Sequence, residues 1–223
     1  MFLFCICSGS SRLLLTATQT PSEQCVLFPL DLRYGWDLNN EAHRRITTIV
    51  DHRYKPCYTT MEPRCKHWSN AGNRRDPALT AELRAEEHDM LTYLSIHGSK
   101  IVKDSRHVLA ENPKTSALWK ASPFESWNYI PAIEENTCTT NQCSFTPHVP
   151  DGQRHRKETL LKASFPLNRS VKRCSCKKGH VALQGYDSEK HQLLTAAAAL
   201  FPSRLCRAIV TDMLEHLTYE NKK

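Results

Sequence analysis

Short apolar runs alternate with amphipathic stretches through the first half of the chain. Between the apolar runs, hydrophobic residues recur at helical spacing, and the longest such stretch has Pro77 near its first turn and Gly98 just past its end. The runs themselves have the length of buried strands and end at small, polar or acidic residues; they cover residues 1–7, 25–30, 57–61 and 107–110. This alternation predicts an α/β fold with a mostly parallel sheet flanked by helices, of the Rossmann type.

The second half of the chain is less regular. Four prolines interrupt residues 114–150, and residues 159–165 form a further candidate strand after an Asp-Gly turn. Two helices are predicted near the end, at residues 192–200 and 203–219. Apolar residues form a stripe along the second of them, so we expect that stripe to pack in the core.

Length and composition suit one domain of ordinary size. The chain has 223 residues, of which 40% are apolar and 24% charged, so a normal core can form. No apolar run approaches the ~20 residues that cross a bilayer, which argues against a membrane-spanning protein. We expect a core over residues 1–165 and a C-terminal helical appendage over residues 166–223, beginning with a basic segment that contains cysteine and histidine.

The ten cysteines are not spaced like the disulfide framework of a secreted protein. Cys5 and Cys7 share one apolar run, and Cys174 and Cys176 form a second close pair. Residues 1–7 lack the basic flank of a secretion signal, so we interpret them as a strand. We therefore expect free thiols and an intracellular location, nuclear or cytoplasmic.

A formal net charge of +7 is concentrated in basic patches at residues 64–75, 154–157 and 172–178. Such an excess fits a polyanionic partner, and we expect this partner to be nucleic acid. An ordinary solvated surface is the alternative interpretation of the same patches.

Polar and special residues follow each of the four predicted strands. In open α/β sheets, ligands bind outside the carboxyl ends of the strands. The residues expected at that edge are 8–11, 31–37, 63–69 and 111–113. The sequence therefore predicts one binding site formed by these four segments.

Three of these segments resemble motifs of cytosine-5 DNA methyltransferases. Residues 5–10 (Cys-Ile-Cys-Ser-Gly-Ser) resemble the first motif, residues 63–69 (Pro-Arg-Cys-Lys-His-Trp-Ser) the nucleophile motif Pro-Cys-x-x-aromatic-Ser, and residues 111–113 (Glu-Asn-Pro) the Glu-Asn-Val motif. A closer resemblance, over most of the chain, is to methyltransferase-like regions of retrotransposon polyproteins. The short motifs shared with those regions, in the same order, lie at residues 31–38, 65–69, 111–119, 142–143, 151–152, 173–174, 179–180, 201–202 and 205–208.

The resemblance implies two catalytic residues. The Cys65 thiolate would attack C6 of cytosine, and the basic neighbours Arg64, Lys66 and His67 would favour the thiolate. Glu111 would protonate or hydrogen-bond N3, as a carboxyl held near neutral by burial. The alternatives are an inert buried cysteine and a helix-capping or surface carboxylate.

The resemblance also implies a site for S-adenosylmethionine. The loop Ser8, Gly9 and Ser10 would approach the cofactor, with Gly9 permitting close backbone contact. Asp31 would accept hydrogen bonds from the ribose hydroxyls. Asp37 would contact the adenine amine with Trp36 or Tyr34 stacking nearby, although Trp36 is also interpretable as a core residue.

The chain departs from the family pattern mainly in the first motif. Cys5 and Cys7 replace an acidic and an aromatic residue, and Ser11 and Arg12 replace paired glycines. Arg64 stands where the nucleophile motif has the proline that directly precedes the cysteine. A non-catalytic nucleic-acid-binding or accessory module is therefore the alternative function, and an inactive, degenerate copy is a third.

A metal site is the second candidate chemistry. Cys174, Cys176 and His180 place three zinc-type ligands within seven residues, and His191 or Cys206 could supply the fourth. Cys-x-Cys is tighter than the usual zinc spacing, so free, partly buried thiols are the alternative.

Overall fold

The computed structural model describes residues 2–6, 12–19, 26–69, 76–146, 155–176, 179–180, 186–187, 192–193, 201–220 and 222. Its centre is a six-stranded sheet in the order β2-β1-β3-β4-β6-β5, and a separate two-stranded ladder pairs β7 with β8. The strands are β1 (Phe2–Ile6), β2 (Val26–Leu30), β3 (Tyr58–Met61), β4 (His107–Pro113), β5 (Thr137–Asn141), β6 (Glu158–Ala163), β7 (Tyr186–Asp187) and β8 (Gln192–Leu193).

The first four strands are parallel, and β6 runs antiparallel to both of its neighbours, β4 and β5. β2 is an edge strand and contains Pro29. Proline has no N–H to donate to a ladder, which an edge strand tolerates because only one of its sides is paired. The predicted α/β class with a mostly parallel sheet is confirmed. The helices are α1 (Arg12–Thr18), α2 (Glu41–Tyr54), α3 (Pro77–Glu86), α4 (His88–Lys103), α5 (Ser122–Glu125), α6 (Pro131–Glu135) and α7 (Ser203–Glu220).

Each face of the sheet buries its own apolar cluster. On one face, Leu3 and Tyr58 pack with Leu205, Ile209 and Met213, the predicted apolar stripe of α7. The Tyr58 hydroxyl also donates to the backbone oxygen of Met213 at 2.9 Å. The C-terminal helix therefore packs directly against the sheet.

The other face is covered by α4 and by the short helices that follow β4. Leu91, Leu94 and Ile101 of α4 pack there with Phe124 and Trp127. All five side chains are at most 1% exposed, so this face forms a closed core layer. Among the described helices, none is both long and apolar enough to cross a membrane.

The long helix predicted to stop before Gly98 is instead two helices, with Gly98 inside the second. α3 and α4 separate at Glu87, whose carboxylate turns away to accept a hydrogen bond from Trp68 Nε1 at 2.6 Å. Gly98 serves close packing, because a Cβ at this position would overlap the Trp127 ring. That ring is fixed by its own hydrogen bond from Nε1 to the Ser95 oxygen, 3.0 Å.

We expect Gly98→Ala to destabilise the protein by about 1–3 kcal/mol, as overpacking of cores does. Helix propensity alone would favour alanine by about 1 kcal/mol, so the sign of the change decides which effect is larger. Chemical denaturation measures it, with the exposed Lys100→Ala in the same helix as the control, expected within about 0.5 kcal/mol of the parent. A more stable Gly98→Ala variant would contradict the packing of Trp127 on Gly98.

Two strands differ from the sequence expectation. Residues 137–141 were expected to be irregular, but they form β5, because β6 provides a partner along their whole length. β4 continues through Pro113 for the same reason, so Glu111 and Asn112 lie in a paired strand and not in a loop after it. Of the predicted helix at 192–200, only residues 192–193 are described, and they belong to β8.

Candidate functional site

The carboxyl ends of the parallel strands carry three acidic residues at one level. The register places Ile6, Leu30, Met61 and Ala110 side by side. The next residues along β2, β3 and β4 are Asp31, Glu62 and Glu111, at the same edge of the sheet. Strand order reverses between β1 and β3, where a crevice opens in folds of this kind.

The loop that carries Cys65 is fixed to the neighbouring strand. Asn112 in β4 donates from Nδ2 to the Pro63 oxygen at 2.8 Å, a buried hydrogen bond. After Pro63 the chain turns tightly, and the Cys65 oxygen accepts from the backbone N–H groups of Trp68 at 3.1 Å and Ser69 at 2.8 Å. These bonds place the half-buried Cys65 side chain beside the end of β4.

The residues after Cys65 anchor the loop to α3 and α4. Trp68 is bonded to Glu87 as described, and the Arg84 guanidinium lies 5.1 Å from the centre of the Trp68 ring. Arg84 also donates from Nε to the His67 oxygen at 2.8 Å. His67 Nε2 lies 4.0 Å from the Glu87 carboxylate, so this ring is directed toward Glu87.

Lys157 contributes a positive charge to the site from the start of β6, the strand that pairs with β4. Because β6 is antiparallel, its amino end lies at the carboxyl edge of the other strands, and Lys157 directly precedes it. Lys157 Nζ lies 3.6 Å from Glu111 Oε1, and their side chains are only 13% and 10% exposed. The ammonium also lies 5.9 Å from the centre of the Phe201 ring, next to the start of α7.

Glu62 is the most perturbed carboxyl of the site. Its Oε1 atom is buried and has no hydrogen-bond partner among the residues that the structure describes, although the residue as a whole is half-buried. Burial raises the pKa of Glu62 well above its usual value, the charges of Glu111 and Asp31 raise it further, and Lys157 opposes them. The protonated form of Glu62 is therefore favoured, whereas Glu111 lies within ion-pair distance of Lys157.

The environment of Cys65 also differs from the expectation. Burial raises the pKa of the Cys65 thiol, Lys157 opposes this, and the charge of Glu111 raises it further. The prediction that Arg64, Lys66 and His67 favour the thiolate is wrong. Arg64 and Lys66 are exposed to solvent, and His67 is directed toward Glu87, so desolvation of the sulfur dominates.

We expect Glu62→Gln to be more stable than the parent at pH 8, by about 1 kcal/mol or more, and equally stable near pH 4. The pKa of Glu62 is higher in the folded state than in the unfolded state. At pH values between these two pKa values, the native state therefore binds a proton that the unfolded state does not. Its stability therefore falls as pH rises through the folded pKa. Glutamine has no proton to lose, so its stability lacks this decline.

Urea denaturation of the parent and Glu62→Gln at pH 4, 6 and 8 tests this expectation. Glu158→Gln, at a carboxylate that is 31% exposed and paired with Arg156, is the matched control. A Glu62→Gln variant that is less stable than the parent at pH 8 would show that Glu62 is ionised in the native protein.

The cofactor residues predicted from the sequence are partly described. Asp31 is 9% exposed and accepts the Arg33 backbone N–H at 3.0 Å, and its charge acts on Glu62. Trp36 is half-buried, with ring centres 6.0 Å from Phe28 and 5.7 Å from His43.

The Asp37 carboxylate accepts the Asn39 N–H at 2.9 Å, before the start of α2. Ser8, Gly9 and Ser10, which were predicted to approach the cofactor, lie outside the described residues. The described part of the predicted cofactor side therefore consists of Asp31, Trp36 and Asp37.

The predicted metal ligands converge, with one addition from another part of the chain. Sγ of Cys174, Sγ of Cys176 and a ring nitrogen of His180 lie within 4.8 Å of one another and of the Cys143 sulfur. Cys206, one of the two candidates for the fourth ligand, lies on α7 and is instead buried in the apolar cluster that this helix forms with the sheet. His191, the other candidate, lies outside the described residues.

A basic groove lies beside this cluster. It has a volume of about 470 Å³, and its wall includes Phe145, Lys172, Arg204 and Arg207. Lys172 Nζ lies 4.9 Å from the centre of the Phe145 ring. The groove thus combines positive charge with an aromatic surface.

Sequence reasoning missed three residues of these sites. Glu62 directly precedes the motif proline, and Lys157 belongs to a basic patch. Cys143 belongs to a shared motif but is distant in sequence from the other metal ligands. The antiparallel pairing of β6 brings Lys157 to the edge, and that pairing has no local sequence signal.

Comparison with known proteins gives little. No family model matches the sequence, and no curated protein matches it. A solved structure of the Entamoeba histolytica methyltransferase EhMeth is similar to this chain with a TM-score of 0.42 and 13% sequence identity. The similarity covers 80% of this chain and 57% of that one.

Proposed function

We propose that this chain is a retroelement-derived, S-adenosylmethionine-dependent methyltransferase-like domain that acts on cytosine in nucleic acid. The observation that carries the proposal is the convergence of Cys65, Glu111 and Lys157 at the carboxyl edge of the sheet. The charges of Glu111 and Lys157 both act on the Cys65 thiol, so the three groups face one site. A nucleophile, a proton carrier and a fixed cation are what attack on a pyrimidine ring requires.

The reaction begins with the Cys65 thiol protonated, because its pKa is raised. Its proton passes to the Glu111 carboxylate as Sγ bonds to C6 of cytosine. The C5–C6 π electrons move toward C5, and Glu111 delivers the proton to N3, which balances the charge of the ring. Lys157 Nζ, 3.6 Å from Glu111 Oε1, holds Glu111 in place both before and after it carries the proton.

S-adenosylmethionine would supply the methyl group that C5 then receives. Loss of the C5 proton to water then re-forms the C5–C6 double bond and expels Sγ from C6 as a thiolate. The proton on N3 returns through Glu111 to this thiolate, which restores the ring and the thiol. A neutral Glu62 next to Glu111 limits the negative charge of the site, since two ionised carboxylates at this depth would repel each other.

Among the described residues of the predicted cofactor site, Asp31 fits contact with S-adenosylmethionine. Asp31 stands at the end of β2, where an acidic residue commonly contacts ribose hydroxyls. It is 9% exposed and keeps one oxygen on the Arg33 N–H, which orients the carboxylate.

A titration with S-adenosylmethionine tests the proposal most directly. We expect saturable, micromolar binding by isothermal calorimetry, weakened at least about tenfold in Asp31→Ala. Asp76→Ala, which removes an exposed helix-capping carboxylate on α3, is the control and should bind like the parent. No binding by the parent, with the fold intact by circular dichroism, would overturn the proposal.

The basic groove favours a second candidate, a nucleic-acid-binding module without catalysis. Lys172, Arg204 and Arg207 suit contacts to phosphates, and Phe145 offers a ring for stacking. In this case DNA or RNA would bind with a steep salt dependence in the absence of S-adenosylmethionine binding. Charge reversal at Arg204 and Arg207 should abolish that binding, whereas reversal at the exposed Arg53 of α2 should not.

A further inference from the structure

We infer that Cys143, Cys174, Cys176 and His180 bind one structural zinc ion, which fastens the segment after β6 to the end of β5. The four ligand atoms lie within 4.8 Å of one another. Ligands around tetrahedral zinc are separated by about 3.5–3.8 Å, given Zn–S and Zn–N bonds of about 2.3 and 2.0 Å. The distance from Cys174 Sγ to His180 Nε2 is 3.3 Å, already close to that value.

The donor set identifies the metal. Three thiolates with one imidazole form one of the common structural zinc sites, and sulfur ligands disfavour magnesium and calcium. With four protein ligands no position remains for water, so the ion would be structural. The zinc with its three thiolates carries one net negative charge, and Arg156 lies near enough to act on Cys174 and Cys143.

The backbone around the site is already arranged to bring the ligands together. Cys143 is fully buried in a 3₁₀ turn that directly follows β5. The segment that bears Cys174 is held beside it by two hydrogen bonds, from the Asn141 N–H to the Lys172 oxygen at 2.9 Å and from Ser144 Oγ to the Arg173 oxygen at 2.9 Å.

Apart from its hydrogen bonds and the contact of Lys172 with Phe145, the segment has no buried side chain between residues 171 and 176. Residues 171–176 form no helix or strand, and every side chain among them is exposed or half-buried. Such a stretch has little apolar area to bury, and a metal ion can replace the missing core. The zinc would therefore close a loop between residues 143 and 180.

Metal analysis of the purified chain tests the inference. We expect one zinc per chain by plasma mass spectrometry, and cobalt(II) substitution should give the visible bands of a tetrahedral site with a thiolate charge-transfer band. Cys176→Ser and His180→Ala, both at half-buried positions, should reduce zinc content at least about tenfold and lower the melting temperature on the order of 10 °C.

The matched control is Cys138→Ser. Cys138 lies on β5, is also half-buried and does not belong to the ligand group, so this variant should keep its zinc and its cobalt spectrum. A metal-free parent that unfolds at the same temperature with and without added zinc would overturn the inference. So would a disulfide among the three cysteines, detected by thiol titration of the denatured, metal-free chain.

Discussion

Replacing Cys65 with serine is expected to abolish covalent adduct formation with an oligonucleotide containing 5-fluorocytosine, while S-adenosylmethionine binding is retained. Fluorine at C5 cannot leave as a proton does, so an attacking thiol remains bonded to C6. A serine hydroxyl is far less nucleophilic, and we expect a loss of at least about a thousandfold. Because the pKa of the thiol is raised, the adduct should form faster in the parent as pH increases from 7 to 9.

Denaturing gel electrophoresis with mass spectrometry of the adduct measures this effect. Cys57→Ser is the matched control. Cys57 is also half-buried, but it precedes β3, whereas Cys65 follows β3, so the two thiols lie at opposite ends of this strand. An adduct of unchanged yield in Cys65→Ser would remove the nucleophile from the proposed reaction. Loss of cofactor binding in that variant would show that the thiol has a structural role.

Lys157→Met is expected to have the largest effect on stability, a loss of about 2–4 kcal/mol at pH 8. It leaves the Glu111 carboxylate, 10% exposed, next to Glu62 without its counter-ion. Removing one partner of a buried ion pair typically costs about 3–5 kcal/mol. The loss should shrink as pH falls toward 5, because Lys157 lowers the pKa of Glu62 and its removal therefore penalises only the ionised form of Glu62.

Urea denaturation at pH 5 and pH 8 measures the loss. Lys114→Met is the matched control, because Lys114 pairs with Glu158 at 3.8 Å but is 50% exposed, so its removal should cost less than about 1 kcal/mol. Equal losses for the two variants would show that Lys157 contributes no more than a surface lysine. A loss independent of pH would point to packing of the lysine stem on Phe201.

The parallel half of the sheet was predictable because its information is local. Residues 57–61 and 107–110 are rich in apolar and β-branched residues, and β3 and β4 begin within one residue of these runs. A buried parallel strand packs on both faces, so its sequence is a short run of this kind and not an alternating pattern. The placement of Cys65 and Glu111 after or near the ends of these strands follows from the same pattern.

The remaining part of the site depends on pairings between distant segments. β5 reads as Thr-Cys-Thr-Thr-Asn, a pattern without apolar alternation, and only its pairing with β6 makes it a strand. Cys143 follows β5, in a segment that the sequence shows as irregular. Lys157 directly precedes β6, a strand that the sequence predicts without specifying its pairing partner. The prediction of a lowered pKa for Cys65 was wrong for a related reason. Arg64 and Lys66, its neighbours in sequence, are exposed to solvent, while burial of the sulfur raises the pKa.

The packing of α7 on the sheet has a consequence for biosynthesis. One face of β1 and β3 is covered by α7, which begins only at Ser203, and Tyr58 lies 155 positions before its hydrogen-bond partner Met213. A ribosome releasing the chain from its amino terminus exposes Leu3, Leu109 and Leu161 long before their partners emerge. We therefore expect this apolar face to stay exposed until the last helix has been synthesised, which makes the nascent chain prone to aggregation.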